Sequence, residues 1–193
     1  MMAKTILLHV CCGPCCIMPI TRLREEGYAV TAYFMNPNIQ PLAEYLRRRE
    51  ALAAVAEQMH FAVIWDDKAW NMTRWLADVA GRQDSPPARC AYCYSTRLDA
   101  SYAKAQALGF DAFSSSLLYS KYQQHEGIAA HCAALAAQGK VDFVYRDFRT
   151  DWQEGIDRSR AMEIYRQPYC GCVYSEAERY AKKLLKLQSA QAE

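Results

Sequence analysis

The residues of this chain best suited to chemistry are its thiols, because of how they are grouped. The run His9-Val10-Cys11-Cys12-Gly13-Pro14-Cys15-Cys16 places four cysteines in six positions. Cys90-Ala91-Tyr92-Cys93 and Cys170-Gly171-Cys172 follow, so of nine cysteines only Cys132 stands alone. Grouped thiols mean metal, redox chemistry, or both. A Cys-x-x-Cys pair at a helix start turns both sulfurs toward one centre, where the helix dipole favours thiolates. Joined to Cys11 and Cys12, the pair Cys90/Cys93 makes four thiolates. That number suits zinc or a [4Fe–4S] cluster. Zinc ribbons and fingers usually carry two Cys-x-x-Cys knuckles, whereas here one half is an adjacent Cys-Cys. Cys170-Gly171-Cys172 is too tight for the usual knuckle, but it can close a strained, easily reduced disulfide. Gly171 removes the Cβ clash that such a turn would meet.

Strands alternating with helices must position these groups. Thr5–Val10 reads as a buried strand, Cys15–Glu26 as a helix and Tyr28–Phe34 as a β-branched and aromatic strand. Leu42–His60 is helical, Phe61–Trp65 a strand and Trp70–Ala80 a helix. Gly81–Arg89 reads as a loop because of Pro86-Pro87, with a helix over Ala91–Leu108. Asp111–Leu117 and Val141–Tyr145 read as strands around a helix over Gln124–Gln138, and helices near Ile156–Ile164 and over Ser175–Leu187 follow. This alternation predicts one α/β domain over residues 1–193, a parallel sheet with helices on both faces. Sites in such sheets lie beyond the carboxyl ends of the strands. Cys11 and Cys12 directly follow the first strand, Ser114-Ser115-Ser116 stands near the end of a later one, and Asp147 just follows the last.

A net charge of +2 gives no global basic field. The cations are arginine-heavy, with Arg47-Arg48-Arg49 in a row and Arg89, Arg146, Arg149 and Arg166 near the cysteine-bearing regions. An arginine fork suits phosphate, though any one arginine is more often a solvated helix face. No apolar run is long enough to span a bilayer, and the start MMAKTILLHV lacks a signal-peptide core. A cytoplasmic, reducing setting without membrane contact is therefore expected, where thiols serve metals or catalysis.

Taken together, the segments LLHVCCGPCC, YFMNPNIQPLAEYLRRREA, ARCAYCYSTRLDASYA, FSSSLLYSKYQQHEGI, FVYRDFR and YRQPYCGCVYSEAER resemble the QueH family of epoxyqueuosine reductases. The resemblance covers nearly the whole chain and departs from the family pattern at Cys16 and Cys132. It implies a Rossmann-like, HUP-type sheet and an oxidoreductase that reduces epoxyqueuosine to queuosine in the anticodon loop of tRNA. It implies a [4Fe–4S] cluster on Cys11, Cys12, Cys90 and Cys93. It implies that Cys170 and Cys172 form a redox-active pair or bind an additional iron, fed by an external electron donor. Asp147 is a candidate ligand or acid. Cysteines stand where ATP-using sheets of this type carry a phosphate loop, which argues against the rival expectation of ATP-dependent tRNA thiolation. The other rival is a zinc-stabilised nucleic-acid-binding module.

Overall fold

A computed structural model describes residues 3–82 and 84–190. Five parallel strands lie in the order β3-β2-β1-β4-β5, formed by Thr5–His9 (β1), Ala29–Phe34 (β2), Ala62–Trp65 (β3), Ala112–Ser115 (β4) and Asp142–Phe143 (β5). The chain winds outward from β1 in one direction, then returns to add β4 on its other side. The central strand β1 is covered on both faces, so Ile6, Leu7 and Leu8 are all buried and its sequence shows no polar alternation. Among the described residues seven helices accompany the strands: Gly13–Glu25 (α1), Leu42–Met59 (α2), Met72–Val79 (α3), Pro86–Ala107 (α4) and His125–Ala136 (α5) between strands, and Trp152–Ala161 (α6) and Val173–Ser189 (α7) after the last one. Helix α1 packs on α2 and α6, while α4 packs on α5 and against β1 and β4. This is the Rossmann-like, doubly wound arrangement that the alternation predicts.

Several boundaries differ from the sequence reading, each for a local reason. Helix α1 starts at Gly13 rather than Cys15, with Gly13 and Pro14 as its first residues and Cys12 extended before them. Pro86-Pro87 does not belong to a loop but opens α4. Proline suits a first helical turn, where its missing N–H has no partner to lose and its φ is already helical. The strand at Asp111–Leu117 stops at Ser115, whose hydroxyl accepts from the Leu117 N–H and turns the chain into a 3-10 turn over Ser116–Tyr119. The last strand shrinks to Asp142–Phe143, an edge strand paired only with Ala112 and Phe113. Another 3-10 turn over Phe148–Asp151 leads into α6. The third helix starts at Met72 because the Asn71 side chain caps it, accepting from the Arg74 N–H at 2.9 Å.

Gly13 explains how closely α1 approaches α2. A Cβ there would stand 2.6 Å from the Ala51 carbonyl oxygen. Only glycine lets the thiol-bearing turn sit on the second helix.

Candidate metal and redox centre

The first cysteine group occupies the loop where β1 passes into α1, between the carboxyl ends of β2 and β4. Cys11 anchors there through its N–H, which donates to the Ser116 hydroxyl at 3.3 Å. Because α1 begins at Gly13, Cys15 lies in its first turn and folds back over Cys11 and Cys12. The three sulfurs lie within 4.8 Å of one another, with Cys11 and Cys12 3.8 Å apart. Among the described residues this is the one set of three or more Cys, His, Asp or Glu donors so gathered. Cys16 points elsewhere and donates to the Gly13 carbonyl.

The triad is asymmetric in charge. Thiol hydrogens from Cys12 and Cys15 hold the Cys11 sulfur well below the ordinary thiol range. Burial pushes Cys12 up, and competition with Cys11 pushes Cys15 up. Of the three sulfurs Cys11 ionises most readily, and together they are a soft donor set for a thiophilic metal.

His9 stands directly behind. Its Nε2 meets the Met35 carbonyl at 3.3 Å and its Nδ1 meets the Ser115 hydroxyl at 3.0 Å. A carbonyl can only accept, so Nε2 carries the proton and Ser115 donates to Nδ1. Complete burial, helped by nearby Arg97, pushes the imidazole down to about 4, so it stays neutral near pH 7. Both ring nitrogens are engaged, and the histidine is a strut rather than a ligand.

Cys90 and Cys93 lie in the first two turns of α4. Burial raises Cys90, with further contributions from Cys170 and Cys172, and pushes Cys93 up to about 12. The second and third cysteine groups therefore share one neighbourhood. Arg97 links them to the first: its guanidinium donates to the Cys93 sulfur at 3.3 Å and feels Cys170 and Cys11. The structure does not gather Cys90 and Cys93 as closely with Cys11 and Cys12 as it gathers Cys15.

The Cys170-Gly171-Cys172 turn is clamped from below by α2. Arg48 donates from Nη1 to the Cys170 carbonyl at 2.8 Å and from Nη2 to the Tyr169 carbonyl at 2.9 Å, while its Nε holds Glu44 at 2.7 Å. Gly171 has φ +145°, and a Cβ there would stand 3.2 Å from Asn38 Nδ2 and Ile39 Cγ1. Its carbonyl accepts from the Gln40 N–H at 2.8 Å. Both thiols are free, Cys170 exposed and Cys172 buried. Two glutamines bind sulfur: Gln123 donates to Cys170 at 3.4 Å and Gln167 to Cys15 at 3.1 Å. Arg48 is therefore part of the interior and not one of the phosphate-facing arginines that its place in Arg47-Arg48-Arg49 suggests.

Asp147 follows β5 and is engaged by its neighbour Arg149. It caps the turn over Phe148–Asp151 and pairs twice with Arg149, at 2.8 and 2.7 Å. The guanidinium pulls its carboxyl down to about 2. Sequence reasoning missed Arg97 and Gln123, read Arg48 with the surface cations and assigned Cys15 no role. None of the four announces itself locally, although the Cys-x-x-Cys spacing of Cys12 and Cys15 is a signal that could have found one of them.

The fold and site define a Rossmann-like protein with a thiol centre at the crevice where β1 and β4 diverge. A solved structure, the predicted subunit of a tRNA methyltransferase from Methanocaldococcus jannaschii, shares the fold with a TM-score of 0.56 at 13% identity, over 81% of this chain and 74% of that one. The family model described as epoxyqueuosine reductase QueH matches residues 6–178. The chain belongs to that family and is an oxidoreductase of queuosine biosynthesis and tRNA processing. A relative from Dehalococcoides mccartyi is 36% identical over 94% of this chain and 97% of its own length. Another, from Thermotoga maritima, is 35% identical over 92% and 93%. Both are named epoxyqueuosine reductase QueH. No helix among the described residues is long and apolar enough to cross a membrane.

Proposed function

We propose that this protein reduces epoxyqueuosine to queuosine at the wobble position of a tRNA anticodon loop, in the cytoplasm, with electrons from an external donor. The observation that carries the metal reading is the sulfur triad at the end of β1, within 4.8 Å. The donor set is all thiol, which suits iron–sulfur ligation. Cys11, Cys12, Cys90 and Cys93 hold a [4Fe–4S] cluster in this reading, and Cys15 is a further donor beside it. When bound, such a cluster supplies electrons singly.

The reaction itself is a two-electron step. Both carbon–oxygen bonds of the epoxide break, a carbon–carbon double bond forms, and the oxygen leaves as water with two protons. Oxidation of Cys170 and Cys172 to a disulfide releases two electrons and two protons, and the donor then restores the dithiol. An additional iron held by this pair is the alternative use of the same sulfurs. Exposed Cys170 faces arriving substrate, while the Arg48 clamp and Gly171 keep the turn tight enough for closure. Arginine forks bind loop phosphates and tyrosine rings stack on splayed bases.

The test is anaerobic purification followed by iron and acid-labile sulfide analysis, with tRNA conversion read by mass spectrometry of digested nucleosides. Wild type should carry both iron and sulfide. Cys11→Ala, Cys12→Ala, Cys90→Ala and Cys93→Ala should lose the cluster, and Cys132→Ala should keep it. Cys170→Ser and Cys172→Ser should keep most of the cluster absorption but fail to convert tRNA. Stoichiometric zinc without sulfide overturns the cluster. Loss of the cluster in Cys15→Ala with retention in Cys90→Ala and Cys93→Ala overturns the ligand set.

A further inference from the structure

Arg97 lies in the middle of α4 and is 2% exposed. Its guanidinium stays charged at any working pH. Burying a cation is costly unless an anion is buried with it. The other two buried arginines obey this rule, Arg48 through Glu44 at 2.7 Å and Arg89 through Glu178 at 2.6 Å. Arg97 does not: among the described residues no carboxylate oxygen lies within 4 Å of it. Its partners are the Cys93 carbonyl at 2.9 Å, the Cys93 sulfur at 3.3 Å and the Tyr94 ring at 5.7 Å. The acidic groups that act on it most strongly are Cys93, Cys170 and Cys11, one from each cysteine group.

We propose that Arg97 is the fixed counter-cation of the thiol centre, balanced only when the sulfurs around it carry the negative charge of metal-bound thiolates. The inference rests on the metal-centre reading above, and it adds a role for a residue that is neither ligand nor redox group. A centre with several thiolate ligands is anionic, and accepting an electron makes it more so. A fixed cation nearby therefore favours the reduced form and raises the reduction potential. The competing account is purely mechanical: Arg97 fills space and ties its Nε to a helix carbonyl. The two accounts differ in sign for the metal-free protein. There Arg97 is a buried cation with no carboxylate to balance it, and removing its charge relieves the fold instead of harming it.

Wild type, Arg97→Lys and Arg97→Met are prepared anaerobically, and iron and sulfide are measured. Reduction midpoints are read from the visible absorbance during a redox titration. Arg97→Met should shift the reduction equilibrium at least tenfold toward the oxidised form, about 59 mV lower for one electron. Arg97→Lys should stay within about threefold of wild type. In thermal unfolding of the reduced, chelator-treated proteins, Arg97→Met should unfold at or above the wild-type temperature. A midpoint unchanged in Arg97→Met overturns the proposal, as does an equal loss of thermal stability with and without metal. If Arg97→Met takes up no cluster, uptake by Arg97→Lys supports the charge role, and equal failure of both variants overturns it. If wild type holds another metal without sulfide, the cluster reading of the preceding subsection fails on its own. The counter-cation is then read from metal release to a chelator: Arg97→Met should release at least tenfold faster than Arg97→Lys, and equal rates overturn it.

Discussion

Replacing Arg48 by methionine should do more damage than any substitution on the outer face of α2. The guanidinium is 1% exposed and joins three things: the Glu44 carboxylate at 2.7 Å and the carbonyls of Cys170 and Tyr169 at 2.8 and 2.9 Å. Methionine fills much of the space but donates nothing. Glu44 would keep the Tyr165 hydroxyl at 2.5 Å as its remaining partner, and both carbonyls would lose their side-chain donor. Breaking a buried ion pair from one side costs about 3–5 kcal/mol, because the other charge stays buried. The surviving tyrosine donor places the expected loss near the lower end, about 3 kcal/mol. For a chain of this size that corresponds to a fall in Tm of roughly 6–12 °C.

The assay is equilibrium denaturation of wild type, Arg48→Met, Glu44→Gln and the double variant. Because the double variant removes the stranded charge as well, it should recover part of the loss, with a coupling of about 2 kcal/mol between the sites. A loss under about 1 kcal/mol in Arg48→Met, or strict additivity in the double variant, would refute the clamp. Reactivity of Cys170 toward a thiol reagent is a local readout: releasing the clamp should loosen the turn that carries it and speed modification.

Gly171→Ala should destabilise by about 1–3 kcal/mol, since φ +145° is a glycine conformation and the new methyl would press on Asn38 and Ile39; denaturation midpoints indistinguishable from wild type would contradict this. Asp147 is ionised down to about pH 2 in the folded chain against an ordinary value of 3.8, so its pairing with Arg149 adds stability above pH 4 that is lost as the pH falls from about 4 to about 2. The side chain is 35% exposed, so screening limits the contribution to less than about 1 kcal/mol. Stability profiles of wild type and Asp147→Asn should differ at pH 5 and converge by pH 2, and a gap that persists to pH 2 would exclude the effect.

The legible part of the fold is the part set by local pattern. Ile6-Leu7-Leu8 is uniformly apolar because β1 is covered on both faces, and that strand, running through Val10 into Cys11-Cys12, placed the first thiol group at a strand's carboxyl end. The Cys-x-Cys turn was legible for a similar reason: Gly171 marks a backbone that a side chain would obstruct. The illegible parts depend on tertiary placement. Arg48 sits between Arg47 and Arg49, and such a run reads as a solvated face. Arg49 does pair with partly exposed Asp67, but the helix rotation carries Arg48 inward to Glu44 and the Cys170 carbonyl. Pro86-Pro87 was misread because proline breaks a helix interior yet suits its first turn, and only the hydrogen bonds of α4 tell the two apart.

Cys15 carries the same lesson into the site. Started at Cys15, α1 would leave that sulfur at its beginning, free to face either way. Started at Gly13, it turns Cys15 back over Cys11 and Cys12. What permits the earlier start is not a thiol at all. Pro14 needs no N–H partner at this point, and Gly13 allows the Ala51 carbonyl to come where a Cβ would stand 2.6 Å away. The Gly-Pro step inside the cysteine run is thus a packing requirement with a chemical consequence, since it sets the helix register that gathers the sulfurs. It follows that Gly13→Ala should disturb the triad without altering one thiol, by pushing α1 away from α2.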